Sequence, residues 1–271
     1  MVRQYYVDEI TDISEQELRP LFQTVEPPAC LLGGWAVHLH VNEGFQAEYG
    51  RDYIGSRDVD LGFHVDPGWA RGELEAAPVG QSVKRVMDAG YIPLSFRFVR
   101  HFNRDTGETL TAEEAKSLPS HQVFDLYLDM IPDTEDLDTF HEVFGFRPPA
   151  EPLLAHVFTD DAAQPLTTFR SWDVPEEFGV VDADLLAAMK VRSIPDRNSD
   201  QKRVKDVADL HALLWYVREY REIRSDVLSW VSERDIEQLR EHVDAGVCAD
   251  AADLLQIDEQ LVEDSVEQLI L

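Results

Sequence analysis

The sequence predicts an α/β (α+β) domain over residues 1–180 followed by a helical domain over 181–271. Three observations carry this. Short apolar runs, at 29–32, 58–65 and 122–131, read as strands, the last two with alternating character. Between them lie stretches with helical spacing of apolar residues. From Asp182 onward the pattern is helical only. The chain has 271 residues, 44% of them hydrophobic, enough to bury a sizeable core.

The elements follow in order. Residues 13–24 read as a helix, with Ser14 and Glu17 spaced as a capping box. Pro27-Pro28 breaks it, and Ala29 to Leu32 forms a short buried strand. Gly33-Gly34 turns that strand into a helix over 35–41. Residues 58–65 form the next strand. A helix over 79–89, with Val79, Val83, Val86 and Met87 apolar, is stopped by Gly90. A strand over 95–102, a turn at 103–107, a small helix over 111–117 and a long strand over 122–131 complete the sheet. Residues 132–175, rich in Pro, Asp and Thr, read as loops with short strands at 144–147 and 166–172. Helices over 184–192 and 201–220 follow, the second with Val204, Val207, Leu210, Leu214 and Val217 as its apolar stripe. Short acidic helices run from Arg224 to the end.

The most informative segment is Ile54-Gly55-Ser56-Arg57-Asp58-Val59-Asp60-Leu61. Strand side chains alternate, so Asp58 and Asp60 point to one face. Two neighbouring carboxylates repel and are costly to bury. A divalent cation offsets that cost, and Mg²⁺ prefers one or two carboxylates together with water and substrate phosphate. The Gly33-Gly34 pair lets a phosphate approach closely, at the start of a helix that favours an anion. On the 122–131 strand, Asp125, Tyr127 and Asp129 share a face, opposite Phe124, Leu126, Leu128 and Met130. That strand is placed to supply a third carboxylate, and parity leaves Asp125 and Asp129 both open. His64 shares parity with Asp58 and Asp60, but near a strand end it reads as a hydrogen-bonded structural residue.

Net charge is -29, spread along the chain, with little Lys. Such charge repels itself and disfavours non-specific nucleic-acid binding. Molar salt shortens the screening length to about 3 Å and relieves the repulsion. The composition resembles that of proteins from extreme halophiles. Cys30 and Cys248 are too few and too far apart for a disulfide framework or zinc motif. No membrane-length apolar run and no signal-peptide pattern are present, so a cytoplasmic location with no membrane partner is expected.

Gly-Gly followed by Ser-x-Asp-x-Asp-hydrophobic resembles the signature of the nucleotidyltransferase (polymerase beta-like) superfamily. The spacing from Gly34 to Asp58 is longer than in its compact members, which places an insertion near 44–53. Downstream, Leu185 to Lys190, then Arg197, then Lys205-Asp206-Val207-Ala208-Asp209-Leu210 resembles the AbiEii-type nucleotidyltransferases, toxins of abortive-infection systems. The likeness spans about residues 29–215.

The resemblance implies a mixed sheet with flanking helices and a metal-dependent transferase moving NMP from an NTP to an acceptor hydroxyl on an RNA end or a protein. It implies Mg²⁺ (or Mn²⁺) held by Asp58, Asp60 and a third acid, Asp129 or Asp125. Gly33, Gly34, Ser56 and Arg57 would contact nucleotide. Lys190, at the edge of its helix, and Arg197 would reach the triphosphate. Lys205 and Asp206 would support them. A cognate antitoxin is an implied partner. The alternative is a non-catalytic nucleotide- or partner-binding module of the same fold.

Overall fold

The computed structural model describes residues 2–271. The chain forms two compact units: 8–35 with 55–181, and the residues up to Val7 with 36–54 and 182–271. We call them the sheet unit and the helical unit. The helical unit includes 36–54, a segment that a boundary near 180 leaves with the sheet.

The strands are β1 (Ala29–Leu32), β2 (Val59–Phe63), β3 (Ile92–Leu94), β4 (Arg97–Asn103), β5 (Thr109–Leu110), β6 (Val123–Pro132), β7 (Ala163–Pro165) and β8 (Phe178–Val181). They form one mixed sheet in the order β3-β4-β6-β2-β1-β8-β7, with β5 on β4. The β2–β6 and β1–β8 pairs are parallel; β1–β2, β3–β4, β4–β5, β4–β6 and β7–β8 are antiparallel. Val59, Leu61 and Phe63 of β2 are fully buried, as are Phe124, Leu126, Leu128 and Met130 of β6. The alternation read from the sequence therefore sets the core face, leaving Asp60 and Asp129 on the other.

The helices are α1 (Asp8–Thr24), α2 (Gly33–Tyr49), α3 (Arg71–Ala76), α4 (Pro78–Asp88), α5 (Ala112–Ser117), α6 (Asp138–Phe144) and α7 (Ala155–Thr159), then α8 (Ala183–Ser193), α9 (Asp200–Tyr216), α10 (Tyr220–Trp230), α11 (Glu233–His242), α12 (Ala245–Leu255) and α13 (Glu259–Ile270). In the sheet unit, α1 lays Phe22 edge-to-face on Phe178 of β8 at 5.1 Å. In the helical unit, α9 is buried from Val204 through Leu214. His211 on α9 is fully buried and bonds Ser265 of α13 through Nδ1 at 2.8 Å. Burial pushes that imidazole down to about 4. No helix among the described residues is long and apolar enough to cross a membrane.

Several boundaries differ from the sequence reading. Helix α1 begins at Asp8, so Ser14 is not a cap; its hydroxyl accepts the Trp35 indole N–H at 2.9 Å. The capping-box spacing there is coincidental, and Asp8 and Glu9 supply the favourable acids of the first turn. Capping boxes form instead between Thr111 and Glu114 at the start of α5 and between Ser232 and Asp235 at the start of α11. Helix α2 does not end at 41: the segment expected as an insertion continues it to Tyr49. Gly44, where the insertion was expected to start, lies inside α2, where a Cβ would come 2.4 Å from the Tyr216 carbonyl of α9. Residues 144–147 and 166–172 are not strands; the strands the sequence reading lacks are β3, β5, β7 and β8. Four residues at Phe178–Val181 are too short for periodicity to reveal them.

Candidate functional site

In the sheet unit, β1 runs directly into α2, and the junction is Gly33 at φ +67°. A Cβ there would lie 1.8 Å from Asp60 Oδ2. Only glycine combines that backbone angle with that contact. The sequence reading gave this glycine to a phosphate; in the structure its missing side chain admits the Asp60 carboxylate. Gly34 follows it in the first turn of α2, buried.

Asp60 pairs with Asp129 in the parallel register of β2 and β6. Both side chains point to the same face. Asp129 is 6% exposed and forms an ion pair with Arg97 of β4 at 3.0 Å. The Arg97 guanidinium lies 4.7 Å from the Phe96 ring centre and 5.0 Å from that of Tyr127. Sequence reasoning passed over Arg97; its place beside Asp129 follows from antiparallel pairing, which a single sequence does not display.

The two open choices for a third carboxylate separate here. Asp125 pairs with His101 of β4, at 2.7 Å, two residues along the strand from Tyr127. Asp129 is the acid beside Asp60. Asp58 lies one residue ahead of β2, in a bend, and is partly buried; the strand expected from 58 begins at Val59, so strand alternation does not fix the Asp58 side chain to the Asp60 face. Ser56 is buried in the approach to β2, and the Arg57 guanidinium lies 5.3 Å from the Phe124 ring centre.

Among the described residues, no three His, Cys, Asp or Glu side chains are gathered as a metal cage. A cage of three is what a closed site needs. Mg²⁺ held by one or two carboxylates and substrate phosphate needs less. Asp60 and Asp129 offer two hard carboxylates in register, and the Gly33 contact fixes the first of them.

The downstream residues build a different object, within the helical unit. Lys190 of α8 is buried, not at a solvent edge, and this corrects the sequence reading. Its ammonium donates to Asp206 and, at 2.7 Å, to Asp209 of α9. Lys205 also donates to Asp209, and Arg197 to Asp206. The Tyr53 hydroxyl donates to Asp209 at 2.8 Å. Burial opposes charge on Asp206, yet Lys190 and Arg197 overcome it and hold the carboxyl down to about 2. Burial likewise opposes charge on Lys190, but Asp206 and Asp209 leave its pKa raised. Lys205 falls the other way: burial outweighs Asp209 and lowers it. Tyr53 is a member that the downstream motif does not contain. The signal for Asp209 was its i+4 spacing from Lys205, which also describes an ordinary surface pair.

No family model, curated protein or solved structure matches the chain.

Proposed function

We propose that the sheet unit is the catalytic part of a metal-dependent nucleotidyltransferase, transferring NMP from an NTP to an acceptor hydroxyl on RNA or protein. The observation that carries this is the juxtaposition of Asp60, Asp129 and Gly33: two registered carboxylates closed on by a glycine at a helix start. Asp60 and Asp129 would hold Mg²⁺ (or Mn²⁺) together with substrate phosphate; Asp58, expected as a further ligand, is not gathered with them in a group of three among the described residues. When bound, the ion neutralises triphosphate charge and lowers the acceptor hydroxyl's pKa. The first amides of α2, beyond Gly33 and Gly34, supply N–H donors and a favourable dipole for phosphate. Ser56 and Arg57, just ahead of β2, supply a hydroxyl and a cation on the same approach. Lys190, Arg197, Lys205 and Asp206 join α8 to α9, so their part in this reading is to hold the helical unit together. An abortive-infection toxin with an antitoxin partner is the biological setting the motifs favour.

Incubation with each labelled NTP, Mg²⁺ and total RNA or lysate protein tests the proposal. Label transferred to RNA or protein supports it; no transfer from any NTP rejects it. One observation favours a second reading, a non-catalytic nucleotide- or partner-binding module. Arg97 already neutralises Asp129, which a binding protein without metal chemistry would require. NTP binding that is independent of divalent ions, without turnover, would decide for that reading.

A further inference from the structure

The sheet unit has a concave site away from Asp60. A groove of about 520 Å³ opens where β1 begins and β2 ends. His64, one of its lining residues, lies four positions beyond Asp60, about 13 Å along an extended chain.

The imidazole is held from behind. Its Nδ1 lies 2.6 Å from Asp133 Oδ2, and the other Asp133 oxygen accepts the Val65 amide at 2.9 Å. The Asp133 side chain is 5% exposed, that of His64 47%. A carboxylate only accepts, so Nδ1 is the donor, and in the neutral tautomer this leaves Nε2 as the ring's acceptor. Trp69 and Phe158 flank the ring, at 5.5 and 6.0 Å between centres. Orientation, tautomer and ring packing are thus fixed for a group that stays half open.

The groove's walls define what fits. Pro28, Val157, Phe158 and Pro165 make an apolar surface. The charged side chains that line it are Asp161, Glu176 and Glu177; no Lys or Arg does. Such acids mean little alone in so acidic a chain. Together with the oriented Nε2 they make the groove a set of acceptors around an apolar wall. Cys30 lies at the base, but burial, opposed by a Gly62 backbone hydrogen bond, pushes its thiol up to about 12. Thiol chemistry is therefore unfavourable, and binding is what the groove offers.

We infer that this groove binds an organic ammonium, a protonated amine carried on a small apolar body, which donates to His64 Nε2 and to the rim carboxylates. Phosphates and carboxylates are repelled by the same rim.

The test is a titration of the full chain, with labelled histidine, by 2-phenylethylamine. The His64 signals are identified by their loss in His64→Gln. The expected result is a saturable movement of those signals, with affinity falling about tenfold in His64→Gln by calorimetry, the scale of one charge-assisted hydrogen bond. Glu176→Gln with Glu177→Gln should weaken the amine further while leaving the fold's melting transition in place. Phenylacetate should not bind and 2-phenylethanol should bind more weakly than the amine. No saturable movement up to about 20 mM amine, beyond weak millimolar affinity, overturns the inference. So does equal binding of phenylacetate or 2-phenylethanol. A His–Asp pair that merely clasps the end of β2 would give one of those two results.

Discussion

Asp60 and Asp129 stand opposite each other in the parallel register of β2 and β6. Repulsion between them is met on one side by Arg97, which pairs with Asp129 at 3.0 Å. On the proposed reading, a divalent ion and this guanidinium would compete for the same carboxylate. Arg97→Gln should tighten Mn²⁺ binding by about tenfold, since an opposite charge beside a carboxylate stabilises its ionised form on that scale. Calorimetry with Mn²⁺ alone measures it. Unchanged affinity would mean that Asp129 takes no part in metal binding.

Asp60→Asn combined with Asp58→Asn should abolish Mg²⁺-dependent NTP binding. Asp60 lies off the core face and Asp58 in a bend ahead of β2, so the far-ultraviolet circular dichroism should not change. Asp125→Asn serves as the comparison: Asp125 shares parity with Asp129 but pairs with His101. Metal-dependent binding should survive that change. If Asp125→Asn and Asp129→Asn behave alike, the register argument fails.

Gly33→Ala should be much more damaging than Gly50→Ala. Both residues have positive φ, +67° and +69°. A Cβ at Gly50 meets nothing within 4 Å, so that change costs only the backbone term, about 1 kcal/mol. At Gly33 the Cβ would overlap the Asp60 carboxylate. Displacing Asp60 should weaken metal binding as well as stability. Equal melting-temperature losses for the two variants would show that the close approach is unimportant.

The carboxylates of β2 and β6 were legible because period-two alternation is a property of any half-buried strand. Val59, Leu61 and Leu126 declared the core face, and Asp60 and Asp129 followed. The pairing that separates Asp129 from Asp125 was not legible, because register depends on which strands become neighbours. Lys190 failed for a related reason. Its helix has apolar neighbours on all sides in the fold, and a lysine among them resembles an edge residue until its carboxylate partners on the next helix are known. Helix α2 past Val41 was read as an insertion from motif spacing; the contact that Gly44 makes inside it is with a residue 172 positions away in sequence, which no local pattern displays.

Salt should stabilise the protein. Its net charge of -29 repels itself most in the compact state. Raising KCl from low to molar concentration shortens the screening length to about 3 Å and should raise the melting temperature. A melting temperature that stays flat or falls across that range would show that local ion pairs already balance the charge.

Lys190→Ala should destabilise the helical unit, because it leaves Asp206 and Asp209 short of a buried cation. Breaking a buried pair by removing one partner costs about 3–5 kcal/mol. Lys190→Met together with Asp206→Asn should recover part of the loss, since fewer uncompensated charges remain. The pH dependence gives an independent reading. Asp206 is held below its ordinary value of 3.8, at about 2, by Lys190 and Arg197 against the opposing effect of burial. A carboxyl depressed in the folded state stabilises above its unfolded pKa. That contribution is lost as pH falls through the folded value. The stability difference between wild type and Asp206→Asn should therefore be constant above about pH 5 and shrink between about pH 4 and 2. Chemical denaturation at several pH values measures it. A difference that persists to pH 2 would show that Asp206 contributes through packing and not through its charge.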